Sequence, residues 1–404
     1  MYTVRQMTNE LKYVTETTGV VEAVSGPSYP AARAVSAAVQ AHFERHLAAA
    51  RRRDAEEKLA PQPDAQAIET IIDTAFWASL RREEGESPKI SLTFLPPEQA
   101  AHPLRFERLL PLTPAALARL APAVERPGIH LGVWRNDGDE LCVWGTTRDI
   151  PKLGFVLEVI EPGLLVVKYG RGQEAGKFVN VVVLKGDQIK EVDEQGTSLP
   201  DCPSLLKQLL GFGSPMPQGD SVNALVQLAA SMRAHGRGGS LLVVPHGMNS
   251  WRESIVWPVL YSVRPPYAEL SGLMQQSEEE RDTRLWQEAF QDAVEATAGL
   301  TAVDGATIIT DQYELLAFGA KIGRREGGPQ VEQVVLTEPV IGNMPTTVHP
   351  VQIGGTRHMS AAQFVQDQRD SVALVASQDG RFTVFAWSPC EEMVHAHRVE
   401  TLLL

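Results

Sequence analysis

Cysteine is scarce in this chain of 404 residues. Only Cys142, Cys202 and Cys390 occur, widely spaced and odd in number, which argues against a disulfide framework or a zinc ribbon and fits reduced thiols. Long apolar runs are missing too. No stretch approaches the roughly 18 apolar residues of a membrane helix. Residues 1–14 mix charged and polar side chains without an apolar centre, so a cytoplasmic protein with no membrane association is expected. There is no basic excess: 37 Lys and Arg stand against 50 Asp and Glu, a formal charge of −13. That balance opposes a generic grip on DNA or RNA and leaves room only for a local basic pocket. Neither a Gly-x-x-x-x-Gly-Lys phosphate loop nor a Gly-x-Ser-x-Gly elbow occurs, so two common nucleotide and hydrolase signatures are excluded.

What is present is an ordinary globular composition, 43% apolar, long enough to bury a large core in two or more domains. Residues 31–58 are strong helix formers with Val35, Val39, Phe43 and Leu47 at helical spacing, closed by a run of arginines that reads as a solvated helix end. Pro61 and Pro63 break the chain, Asp64 can cap a new helix, and Ile68, Ile71, Ile72, Ala75, Phe76 and Leu80 form its apolar stripe. Over 89–192 the pattern changes to short β-rich runs at 90–95, 129–135, 140–146, 154–160, 163–169 and 178–184. A hairpin turn at Asn136-Asp137-Gly138-Asp139 joins two of them. Residues 197–219 are rich in Pro and Gly, a connector composition.

Beyond it, Ser221 can cap a helix that leads to a strand at 240–244, and 277–297 forms a charged amphipathic helix. Strands are expected at 307–310, 314–318, 331–336, 371–376 and 381–387, with a helix at 361–367. Helix alternating with buried strand is α/β grammar. The division expected is a helical segment 1–60, a β-rich accessory domain 61–200, a linker 201–218 and an α/β domain 219–404. No internal repeat is visible.

Two segments about fifty residues apart carry most of the chemistry. Gly305 and Ala306 in Asp304-Gly305-Ala306-Thr307-Ile308-Ile309 would let a base or ribose approach the backbone, and Asp304 could hold a cation or a ribose hydroxyl. Thr356, Arg357 and His358 in Gly355-Thr356-Arg357-His358-Met359-Ser360-Ala361-Ala362 sit at a helix start. There they would offer hydroxyl, guanidinium and imidazole donors to phosphate oxygens. Each segment alone has a duller reading, an ordinary Asp-Gly turn or a solvated arginine.

Together and in this order they resemble the paired signatures of diadenylate cyclases. The similarity extends over 317–322 and 372–385, whose Ser377-Gln378-Asp379-Gly380 resembles that family's late serine-acidic turn. The resemblance implies a C-terminal α/β domain of diadenylate-cyclase type, a mixed central sheet with flanking helices, preceded by a helical and β-rich region. It places the Asp-Gly-Ala motif at the end of a strand. Nucleotide-binding residues would be Asp304, Gly305, Ala306, Gly355, Thr356, Arg357, His358 and Ser377, with Asp304 catalytic and holding Mg²⁺ or Mn²⁺ if the chain is active. In such cyclases two nucleotide-bound subunits face each other, which implies a homodimer. Met359 stands where the family has a second arginine. Losing that charged contact is worth on the order of 1.5–3 kcal/mol, enough to weaken triphosphate binding tenfold or more. The chain therefore looks like the variant type labelled DACNV, a nucleotide sensor for ATP or a cyclic dinucleotide. An active cyclase making cyclic di-AMP and an interaction scaffold are the other two readings.

Three lesser candidates complete the reading. His246 follows a buried strand, where α/β sheets place ligand groups, although a plain loop histidine is commoner. His395 and His397 lack a third metal ligand and read as solvated residues of an edge strand. Trp251 and Trp257 flank Arg252 and could stack a base, but buried aromatics are commoner.

Overall fold

The computed structural model describes residues 28–53, 59–82, 85–170, 178–193, 223–259, 261–281 and 283–403. The connector at 201–218, Cys202 and the Ser221 cap fall outside them. The fold is mixed α/β, built on two mixed sheets.

In the first unit, helices α1 (Pro30–Arg53), α2 (Ala65–Ser79) and α3 (Pro114–Leu120) cover one face of an eight-stranded sheet. Its strands are β1 (Ile90–Phe94), β2 (Leu104–Pro111), β3 (His130–Arg135), β4 (Leu141–Thr147), β5 (Phe155–Glu161), β6 (Leu164–Gly170), β7 (Phe178–Lys185) and β8 (Gln188–Glu191). Their spatial order is β2-β4-β3-β1-β5-β6-β7-β8. β1 and β3 run parallel and the other neighbours antiparallel. Asp64 caps α2 as its sequence predicts, its carboxylate accepting from Ala67 N at 2.7 Å. Ile68, Ile71, Ile72 and Ala75 are fully buried, while Leu80 closes the helix and is exposed. α1 contributes Val35, Val39 and Phe43 to the same core.

The second unit holds a nine-stranded sheet. Its strands are β9 (Gly239–Val244), β10 (Tyr261–Tyr267), β11 (Ala306–Thr310), β12 (Leu315–Ala320), β13 (Val334–Thr337), β14 (Thr346–Val348), β15 (Val372–Ala376), β16 (Phe382–Ser388) and β17 (Met393–Arg398). Their order is β10-β12-β11-β9-β15-β16-β17-β13-β14. Helices α4 (Ala224–Ala234), α5 (Glu269–Met274) and α7 (Arg284–Leu300) cover one face and α8 (Thr356–Asp367) the other. A single turn of helix, α6 (Glu278–Arg281), precedes α7.

Several expectations need correction. Asn223 caps α4, its side chain accepting from Leu225 N and Val226 N at 3.1 and 3.3 Å. The amphipathic helix is broken before Arg284, where Thr283 caps α7, so Leu285 faces solvent. β17 lies inside the sheet, and both of its histidines are fully buried rather than solvated. His395 pairs with Glu391 and His397 with Thr337. The sheets also repeat one another: the seven strands from β2 to β7 and the seven from β10 to β17 follow the same order and directions. The repeat was invisible in the sequence because backbone pairing preserves it while the side chains differ. Among the described residues no helix is long and apolar enough to cross a membrane.

The units touch along β8 and β7. Val192, just past β8, bridges to Val340. Asp193 N donates to Pro339 O and Ile341 N to Glu191 O, each at 3.0 Å. The Lys190 ammonium pairs with Glu338.

Candidate functional site

The strand ends bring the two motifs together. β9 and β11 are parallel, and β12 and β15 run the other way beside them. The starts of β9 and β11 and the ends of β12 and β15 therefore share one end of the sheet. Asp304 and Gly305 open β11 there, so the Asp-Gly-Ala motif begins a strand and does not end one. Gly305 has φ +118, and a Cβ on it would stand 2.4 Å from the carbonyl carbon of Gly319. This backbone contact fixes the start of β11 against the end of β12. Its role is packing between strands, and Ala306 is buried beside it.

Lys321 follows β12 at once, and the glycine contact sets it beside Asp304, with Nζ 2.6 Å from Oδ2. The hydrogen bond and charge of Lys321, and after them the charge of Arg357, hold the Asp304 carboxyl below its ordinary range. Lys321 was not singled out as functional in the sequence. Its only signal was its place inside the similar segment 317–322.

Arg357 reaches the same end from the other motif. α8 packs Ala361, Ala362, Phe364 and Val365 into the core, and burial of each of the larger two contributes about 1.5–3 kcal/mol. Its first turn is thereby anchored over the start of β9. Arg357 Nη1 lies 3.0 Å from where a Cβ on Gly238 would stand. Among the described residues the guanidinium has no ion pair. Gly355 opens α8 without a capping side chain, so first-turn N–H groups add to the positive character of this end. Thr356 is exposed.

His358 faces inward. It is buried, with Nε2 3.4 Å from Thr383 Oγ1 and its ring edge-on to Phe385. Burial first, then the charge of Arg398, lowers its pKa to about 4, with Asp379 opposing. It supports the turn that carries Arg357. Met359 packs partly buried against the α8-side core. Ser377 lies in the β15–β16 turn, where its N donates to Arg381 O at 2.9 Å.

A Mg²⁺ or Mn²⁺ ion held by protein side chains does not fit this donor set. Asp304 is the carboxylate at hand and Lys321 already engages it. Among the described residues no three His, Cys, Asp or Glu side chains are grouped to hold a metal.

The lesser candidates lie elsewhere. His246 is at the opposite end of β9, where Nδ1 meets Glu314 Oε2 at 2.7 Å and its N–H donates to Asp311. The Arg252 guanidinium sits 4.6 and 5.1 Å from the ring centroids of Trp251 and Trp257, so the chain's own cation occupies both rings. Two surface depressions of about 430 and 510 Å³ contain no residue of either motif. The convergence of charged groups, rather than depth, marks the strand end as the candidate.

Three buried histidines make stability depend on pH. Burial lowers His130 and His358 to about 4 and His397 to about 3, from an ordinary 6.5. Between those values the unfolded chain binds protons that the folded chain refuses. The contribution is therefore complete above about pH 6.5 and lost at about 1.4 kcal/mol per pH unit for each histidine as pH falls toward 4. Glu400, whose carboxyl burial raises, acts in the opposite sense. Thermal melts should show the midpoint dropping steadily from about pH 7 to about pH 5; a flat profile would contradict the burial of these rings.

Comparison with known families bears on the first unit. Residues 57–148 match the family described as "Probable sensor domain DACNV". The match spans α2 to β4 and lies wholly before both motifs, although the resemblance seen in the sequence rested on the second unit. The first unit is thus similar to a DACNV-type sensor domain. No curated protein matches the chain.

Proposed function

We propose that the chain is a two-part signalling protein whose second unit binds a nucleotide, ATP or a cyclic dinucleotide, under the influence of a sensor-like first unit. The observation that carries this reading is the convergence of Arg357, Lys321 and Asp304 at the end of one sheet, beside the uncapped start of α8. In an acidic protein this is a local basic site of the kind a phosphate needs. Arg357 and the first-turn N–H groups would hold phosphate oxygens, with a charge-assisted, bidentate geometry open to the guanidinium. Lys321 would share that charge. Asp304, kept ionised by Lys321, would accept from a ribose hydroxyl, and Thr356 could add a hydroxyl donor. Ser377, Gly355 and the backbone at Gly305 and Ala306 would border the ligand.

The contact between the units supports communication. The segment after β13 adds to the edge of β8, and β13 pairs with β17, whose partner β16 carries Thr383 against His358. A shift of the first unit would therefore press on the helix that bears Arg357.

A second reading is an active diadenylate cyclase, the homodimeric arrangement included. It is favoured by the place of the sensor-family match: with the first unit similar to a sensor, the second is left as the output. Incubating the purified chain with ATP and Mn²⁺ and analysing both solution and co-purifying nucleotide by mass spectrometry separates the two. Bound nucleotide without product is the expected result. Cyclic di-AMP in solution would make the second unit an enzyme, and neither bound nucleotide nor product would remove both readings.

A further inference from the structure

The two sheets repeat in register as well as in strand order. The edge strand β2 pairs Leu104 with Thr146 and Arg105 with Gly145, then jumps to Leu110 opposite Val143. β10 does the same, pairing Tyr261 with Phe318 and Ser262 with Ala317, then jumping to Tyr267 opposite Leu315. The inner neighbours shift there too, between Gly132 and Val133 in β3 and between Ile308 and Ile309 in β11, while a further shift between Ala306 and Ile308 in β11 and one between Val167 and Lys168 in β6 are each confined to one sheet. The β5–β6 and β15–β16 hairpins also coincide. Leu157 lies between Leu92 and Val167 as Leu374 lies between Leu241 and Val384. Their turns end on Gly163 and Gly380, at φ +74 and +80. Strand order does not dictate where a bulge falls, and bulges act as specific features rather than defects. Coincident bulges and a coincident turn therefore point to common origin.

The faces then tell the units apart. On the helix-covered face both are apolar, with Leu157 and Val167 in one core and Leu374 and Val384 in the other. On the opposite face the second unit presents Ala306, Val375, Phe385 and Ala396 beneath α8. By register the first unit has His130, Glu158, Lys168 and Asn180 in those places. Among the described residues no helix covers them from within the unit: only residues 148–154 separate β4 from β5, whereas 321–371 separate β12 from β15. The polar groups are satisfied in part among themselves, Lys168 with Glu158 and Ser91 with His130, each at 2.6 Å. Asn180 looks outward to the second unit: its Nδ2 donates to Thr401 O at 2.8 Å, in the turn Glu400–Leu402.

We infer that the chain is an internal duplication in which the first unit lacks the segment bearing 355–359 and uses the face left without α8 as the docking surface for the second unit's C-terminal turn. A consequence, which rests on the nucleotide reading above, is that the first unit has no equivalent site. Counting back from the paired residues puts Gly128 in the place of Asp304, and among the described residues nothing replaces Arg357.

The test uses the full chain in two arms. Equilibrium titrations with ATP and with cyclic di-AMP should show binding of one of the two, saturating at no more than one molecule per chain and vanishing in Arg357→Ala. A second molecule that survives Arg357→Ala would overturn the claim that the first unit has no site, while no binding of ATP or cyclic di-AMP would sink the nucleotide reading and leave the docking surface to the second arm. There, hydrogen exchange is followed in Asn180→Leu, with Asn180→Ser read the same way if the first variant unfolds. Amides at 400–402 should exchange about fivefold to tenfold faster while those of α2 and α7 keep their protection. Unchanged exchange at 400–402 would overturn the docking surface.

Discussion

Gly305→Ala should unfold the second unit about 10 °C earlier and abolish nucleotide binding, whereas Gly355→Ala, fifty residues away in the other motif, should cost only about 2–4 °C, the effect of a poorer helix N-cap. The contrast follows from what each missing side chain would meet. At Gly305 a Cβ stands 2.4 Å from the backbone carbon of Gly319 and 2.7 Å from its oxygen, at a φ of +118. Backbone cannot rotate away as a side chain can, so the ends of β11 and β12 must part. The left-handed strain costs about 1–3 kcal/mol and the overpacking about 1–3 more. For a unit of this size that corresponds to a fall of several to about 20 °C. Parting the strands also separates Lys321 from Asp304. At Gly355 φ is −76 and no atom lies within 4 Å of the added carbon, so alanine meets open space. Equal melting of the two variants would refute the packing role given to Gly305.

Arg357→Ala should have the opposite signature, a large loss of binding with little loss of stability. Its guanidinium lies at the surface end of α8 without an ion pair among the described residues, so truncation leaves no buried partner stranded. A charge-assisted contact to phosphate is worth about 1.5–3 kcal/mol and a bidentate one more, which predicts at least a tenfold to hundredfold weaker complex. Lys321→Gln should weaken binding less, because Lys321 also spends its charge on Asp304.

Much of the fold could be read from the sequence where local signals agree with the final environment. The α2 stripe, its Asp64 cap and the Asn136–Asp139 turn are set by neighbours in the chain, and six of the first unit's strands show the apolar runs of buried sheet. β2 and β10 were missed for a physical reason: both are edge strands, mostly exposed, and each carries a proline, so neither has apolar alternation to betray it. The burial of His395 and His397 was missed because an interior strand and an edge strand look alike when histidine replaces an aliphatic residue. The motifs were legible as motifs, and the structure puts Asp304 and Arg357 at one strand end. Lys321 was not legible as a partner of Asp304, because that pairing depends on Gly305, just before β11, meeting Gly319 in β12. His358 shows the limit of reading by residue type, since a histidine at a helix start can as easily face the core as a ligand.

The measurement that bears most directly on the proposed site is calorimetric titration of the full chain with ATP and with cyclic di-AMP, run beside Arg357→Ala at matched ionic strength. The wild type should bind one of the two, and Arg357→Ala should bind neither while its melting temperature stays within about 2 °C of the wild type. Undiminished binding by Arg357→Ala would place the nucleotide elsewhere and contradict the account.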